Sequence, residues 1–97
     1  MPQVIFSQAA LQDLERLHQF LLPKNRSAAR RAAQTIIQGC RAFGAHPQIG
    51  RLIDELPEQY REWLIEFGDS GYLARYHMDD VTVTILAIRH QKEAGYK

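Results

Sequence analysis

The chain has 97 residues, 45% of them hydrophobic, and a formal net charge of +1. That length suits one domain, 1–97, with a modest core, and so near-neutral a balance names no partner by itself. A single cysteine, Cys40, excludes an intrachain disulfide framework, no run approaches membrane-spanning length, and the opening Met1-Pro-Gln-Val lacks the basic and long apolar regions of a secretory signal, so a cytoplasmic location is expected.

The chain opens on Val4-Ile5-Phe6, a short apolar run after Pro2 that predicts a first strand. Ser7 then caps a helix over about 8–22, its hydroxyl accepting a first-turn backbone N–H. Ala10, Leu11, Leu14, Leu17 and Leu21 fall along the apolar face of this helix, with Gln12, Glu15, Arg16 and Gln19 opposite. Phe20 lies toward the polar side, which suits a lone exposed apolar residue or a partner contact. Pro23 ends this helix, and Asn25 or Ser27 caps a second. The apolar face of the second helix is Ala29, Ala32, Ala33, Ile36, Ile37, Cys40 and Phe43. Arg30, Arg31, Gln34, Gln38 and Arg41 form its outer face. The alanines permit close approach, so the two helices should form an antiparallel hairpin. Gly44 and Pro47 stop the second helix.

Residues 23–51 hold Lys24, Arg26, Arg30, Arg31, Arg41 and Arg51 and no acid, whereas 52–97 hold nine acids against five basic residues. A solvated helix face is the ordinary reading of such a basic segment, and an acidic or anionic partner is the sharper one. A long connection, Ala45 to Gln59, follows and is the expected mobile segment.

Three strand-length runs then organise the rest of the chain: Tyr60–Phe67, Tyr72–Met78 and Val81–His90. Gly68-Asp-Ser-Gly71 and Asp79-Asp80 separate them, which predicts an antiparallel meander. The last run is apolar at both parities over Ile85, Leu86, Ala87 and Ile88, the pattern of a strand covered on both faces and so interior. The predicted fold is α+β: a helical hairpin on one face of a four-stranded, mostly antiparallel sheet, β-α-α-β-β-β. Its strand order is second, third, fourth, first, and the first strand runs parallel to the fourth.

This layout and its wording resemble the RelE/ParE superfamily of bacterial toxins, each paired with an antitoxin. The likeness rests on Val4-Ile5-Phe6-Ser7 with Asp13-Leu14, on His46-Pro47, Gly50, Leu56-Pro57 and Tyr60-Arg61, on Gly71-Tyr72 and Tyr76, and on the ending Ile85-Leu86-Ala87-Ile88-Arg89-His90. The superfamily divides into RelE-like toxins, which cut mRNA on the ribosome, and ParE-like toxins, which poison DNA gyrase without catalytic residues.

Cleavage needs a cation on the scissile phosphate and groups that move protons. Where the RNases carry an arginine in strand three, this chain has Leu73, which supplies neither charge nor hydrogen bonds. Gln91 stands where a basic residue usually follows the last strand. Asp54, Glu55 and Glu58 make the loop before strand two acidic.

The resemblance therefore implies a ParE-like toxin with no catalytic residues, no cofactor and no metal. It implies a cognate antitoxin, DNA gyrase as target through its DNA-cleaving subunit, and nucleic acid only through those partners. Antitoxin contacts are expected at Phe20, Leu73 and Arg75. Gyrase contacts are expected at Arg30, Arg31, Arg41, Arg89, His90, Lys92 and Tyr96. The alternative is a ribosome-dependent mRNA endonuclease using Arg75, His90 and Tyr96. For His90 alone, the plainer reading is a strand-end histidine that holds the tail. Trp63 and Tyr76 are expected to pack in the core or on a sheet face.

Overall fold

The computed structural model describes residues 2–93, 95 and 96. The elements are β1 (Gln3–Phe6), α1 (Gln8–Leu21), α2 (Arg26–Ala45), β2 (Arg51–Leu52), β3 (Tyr60–Phe67), β4 (Ser70–Met78) and β5 (Thr82–His90). They form a sheet of five strands ordered β1-β5-β4-β3-β2, in which only the β1–β5 pair is parallel. The α+β class, the helical hairpin and the predicted strand order are all present. The count of four strands falls short by one, because Arg51 and Leu52 in the long connection pair with Glu62 and Arg61. Two residues are too short a run to leave a period in the sequence.

Local chemistry sets the boundaries. Ser7 Oγ accepts from the Ala10 N–H at 3.1 Å, and Asn25 Oδ1 accepts from the Ala28 N–H at 3.0 Å, so each helix begins on a side-chain cap. The β3–β4 turn is the pair Gly68-Asp69, with Gly68 at φ +62. A positive φ at the first turn position with none at Asp69 belongs to a type II′ hairpin turn, which favours glycine at the first position. At the β4–β5 turn the Asp79 carboxylate accepts the N–H groups of Val81 and Thr82 at 2.9 and 2.8 Å.

Both helices lie on one face of the sheet. Leu17, Ile36, Cys40 and Phe43 are buried there against Ile65, Tyr72, Ala74, Tyr76, Val83, Ile85 and Ile88. Leu14, Leu21 and Ile37 are half-buried at its margin. Burial raises the Cys40 thiol to about 12, which keeps it protonated and inert. Leu11, expected on the packed face, is 53% exposed. Its angular position overshoots the stripe that the sheet actually covers.

The double-sided apolarity of the last strand has a different cause from the one its pattern suggests. A bulge shifts the β4–β5 register between Arg75 and Tyr76, and Leu86 is the extra residue. The bulge re-phases the strand, so Ile85 and Ile88, three apart, both reach the core. The strand is interior, between β1 and β4, but only one of its faces carries helices.

Tyr76 fastens the connection expected to be mobile. Its ring stacks on Phe43 with centroids 4.2 Å apart. Its hydroxyl donates to the Pro47 carbonyl at 2.6 Å and accepts the Gly50 N–H at 2.9 Å. A Cβ at Gly50 would stand 2.6 Å from that hydroxyl, so the approach requires glycine. Arg61 adds bonds to the carbonyls of Gln48, Gly50 and Glu58.

The sheet has two unequal edges. β1 ends at Phe6, and side chains close the β5 edge beyond it. Ser7 Oγ donates to the Leu86 carbonyl, the Ile88 N–H donates to Asp13 Oδ2 at 2.8 Å, Arg16 donates to the Ile88 carbonyl, and the His90 N–H donates to Glu93 Oε1 at 2.7 Å. Arg16, placed by periodicity on the solvent face, also reaches Glu93 at 2.6 Å. At the other edge β2 pairs with only Arg61 and Glu62 of β3.

Candidate functional site: the open sheet face and the tail

Side chains alternate along a strand. Tyr72, Ala74 and Tyr76 of β4 enter the core, so Leu73, Arg75 and His77 face away from the helices. Cross-strand pairing places Glu62 and Leu64 of β3, and Arg89 of β5, on the same open face.

Glu62 is the centre of this face and is only 7% exposed. Its Oε1 accepts from Arg51 at 2.8 Å, and its Oε2 accepts from the Tyr96 hydroxyl at 2.7 Å and from Arg75 at 3.5 Å. Burial by itself would raise this carboxyl. The hydrogen bonds from Arg51 and Tyr96 and the charges of Arg51 and Arg75 outweigh that effect and hold it below the ordinary value. Tyr96 responds in the opposite sense: burial, then its bond to the Glu62 carboxylate, drives its phenol well above the usual range.

Arg89 shapes the tail that delivers Tyr96. Its guanidinium donates to the carbonyls of His90, Gln91 and Glu93, the last at 2.8 Å. The chain curls back, and the Tyr96 ring lies 4.6 Å from the Arg75 guanidinium and 5.3 Å from that of Arg89. Two cations on one aromatic ring form a favourable contact where water is largely excluded.

On the helix side, His90 pairs across the sheet with Tyr72 and meets its ring edge-on at 5.3 Å. Its Nδ1 accepts the Lys92 N–H at 3.1 Å, which puts the proton on Nε2, 3.0 Å from Ser70 Oγ. Beside it lies a groove of about 780 Å³ between the end of α1 and the β3–β4 turn. Phe20 stands at its rim, 64% exposed, with the Lys24 ammonium 3.6 Å above the ring.

The sheet divides the residues singled out from the sequence. Arg75 and Tyr96 meet on the open face, while His90 is on the opposite face, so the three do not converge on one point. Phe20 is separated in the same way from Leu73 and Arg75. Leu73 is 7% exposed and therefore not the accessible apolar anchor that its position suggests; Leu64 and Arg89 flank it across the sheet. Of the two places expected for Trp63 it takes the sheet face, on the helix side beside Ala74, where it is 40% exposed. Arg30, Arg31, Arg41 and Lys92 are exposed, and Arg89 and Tyr96 are half-buried. The α2 arginines and Tyr96 belong to opposite layers and form no continuous surface.

Sequence reasoning missed Glu62, Arg51 and Asp13. Glu62 does carry a trace, since it is an acid in the middle of a strand flanked by Arg61 and Trp63. Among the described residues no three His, Cys, Asp or Glu side chains gather to hold a metal ion.

Comparison with known proteins agrees with this architecture. The family model described as "ParE toxin of type II toxin-antitoxin system, parDE" matches residues 4–95. Toxin RelE3 of Caulobacter vibrioides is 32% identical over 93 residues, which is 96% of this chain and 98% of that protein. A solved structure of the chromosomal ParDE TA system from P. aeruginosa shares the fold with a TM-score of 0.78 at 20% identity, covering 93% of this chain and 96% of that one. The chain belongs to the ParE toxin family of type II toxin–antitoxin systems, within the RelE/ParE superfamily.

Proposed function

We propose that this toxin acts by binding: it holds the DNA-cleaving subunit of DNA gyrase in its cleaved-DNA complex, and its cognate antitoxin prevents this. The observation that carries the reading is the buried carboxylate of Glu62. An RNase needs an uncommitted cation for the phosphate and a group to move a proton. Here Arg75 and the Tyr96 hydroxyl both engage Glu62, and Leu73 stands in the position of the RNase arginine. His90, held by Ser70 and Lys92, is on the other face of the sheet.

The gyrase contact is assigned to the basic outer face of α2, Arg30, Arg31 and Arg41, with the tail from Arg89 to Tyr96 as a second contact. Purified toxin should inhibit gyrase supercoiling and raise the level of cleaved DNA, while ribosome-bound mRNA stays intact. Reversing Arg30 and Arg31 to Glu should relieve inhibition without lowering the melting temperature.

The likeness to a relative that bears the RelE name favours a second reading, mRNA cleavage. That would require Arg75 and Tyr96 to leave Glu62. Primer extension on mRNA in a purified translation system detects it, and cleavage there with supercoiling untouched would overturn the gyrase reading.

A further inference from the structure

The chain beyond β5 is held more closely than a terminus ordinarily is. Residues 90–93 form a knuckle in which all four backbone N–H groups donate: His90 to the Glu93 carboxylate, Gln91 to the Gly71 carbonyl, Lys92 to His90 Nδ1 and Glu93 to the His90 carbonyl. Arg89 takes the carbonyls of His90, Gln91 and Glu93 from beneath. The tip of the knuckle, Gln91-Lys92, is exposed.

Two clamps hold this segment. Near the knuckle, the Glu93 carboxylate accepts from Arg16 of α1 at 2.6 Å. At the far end, the Tyr96 hydroxyl donates to Glu62 of β3 at 2.7 Å. Arg75 and Arg89 grip the Tyr96 ring by their faces, and the buried Nε atoms of both make no hydrogen bond among the described residues. The one directed bond that fixes the ring is therefore the one to Glu62. Arg51 and Arg75 keep that carboxyl ionised at neutral pH, so the bond is charge-assisted. Glu62 itself is 7% exposed and out of reach of a docking partner.

We propose that Glu62 is a positioning residue for target binding: through the Tyr96 hydroxyl it seats residues 90–96 on the sheet and so presents the Gln91-Lys92 tip in one place. The inference rests on the reading that the tail is a gyrase contact. A loose tail loses freedom each time it binds, and its apparent affinity falls with the fraction of time it spends undocked. A seated tail avoids both losses.

The test compares the full chain with Glu62→Ala, Tyr96→Phe and the double variant in gyrase supercoiling assays, with amide exchange on each free toxin. Tyr96→Phe keeps the ring and every sheet residue and removes only the hydroxyl, so it serves even where Glu62→Ala disturbs the sheet. Each single variant should need about tenfold more toxin for half-inhibition, with faster exchange at residues 91–93. The double variant should do no worse than Glu62→Ala, because both changes cut the same bond.

Losses that multiply in the double variant would overturn the proposal, since the hydroxyl would then meet the target itself. Residues 91–93 as protected in Tyr96→Phe as in wild type would overturn Glu62 as what seats the tail. A loosened tail with inhibition intact would overturn the positioning role and leave the gyrase reading standing. Wild-type toxin that leaves supercoiling untouched would overturn the gyrase reading and the positioning role with it.

Discussion

The helix-covered face of the sheet and its open face are stabilised by different means. On the covered face, rings and branched side chains interlock: Phe43 on Tyr76, Ile36 and Cys40 over Val83, Ile85 and Ile88. Charge enters at the rim, through Asp13 and Arg61. On the open face one carboxylate gathers two arginines and a tyrosine, and the tail that brings the tyrosine is itself held by an arginine. The first arrangement gains from excluding water, and its strength depends on volume. The second depends on protonation and on a segment that can leave. A toxin that must be stable and must also be recognised has reason to keep the two apart.

The largest effect should come from the covered face. Phe43→Ala removes a fully buried ring and should cost about 3–5 kcal/mol, read as a lower denaturant midpoint at unchanged slope. A wild-type midpoint would mean the stack contributes nothing and the comparison fails. Glu62→Ala should cost less, about 1–3 kcal/mol, since its three partners lose their acceptor but retain some access to water. It should also free the tail, seen as faster amide exchange and proteolysis after His90.

A pH series separates the faces further. The Glu62 carboxyl lies below its ordinary value of 4.5 in the folded chain, so the stability it contributes is complete above 4.5 and is lost as pH falls through the lower folded value. The Tyr96 phenol is raised above 10.0, so its contribution is complete below 10.0 and is lost as pH climbs through the higher folded value. Burial raises Tyr72 and Tyr76 as well, so both faces share an alkaline limit. Among these groups only the open face has an acid limit, and Glu62→Ala should flatten that limb of the stability curve. The smallest change should be Arg51→Ala. Its side chain is 70% exposed, and the loss should be at most about 1 kcal/mol, shrinking with added salt.

The helices and the meander are legible in the sequence because each is a long periodic pattern with a chemical stop: Ser7 and Asn25 as caps, Gly68 and Asp79 as turns. β2 is not, since Arg51-Leu52 becomes a strand only when β3 arrives. The bulge at Leu86 is visible as apolarity at both parities, but the same pattern also fits a doubly covered strand, and only packing distinguishes the two. Asp13 and Glu62 are hidden for one reason. A charge within an amphipathic period reads as solvent-facing, and what reverses this is a partner distant in sequence: Ile88 for Asp13, Tyr96 for Glu62. The candidate site was therefore legible as a list of residues and not as an arrangement, because the sequence does not say which side of the sheet the tail will cross.

The parallel pairing of β1 with β5 joins residue 3 to residue 82. During synthesis the first strand and helix emerge early and wait. Asp13 has no Ile88 to bind and Arg16 has no Glu93 until the last strand is made. At about 5–20 residues per second that delay is on the order of ten seconds. Contacts so distant in sequence also form late once the chain is free. The sheet of this toxin therefore cannot close until β5 has been made, and a chain cut short before β5 leaves β1 without its partner.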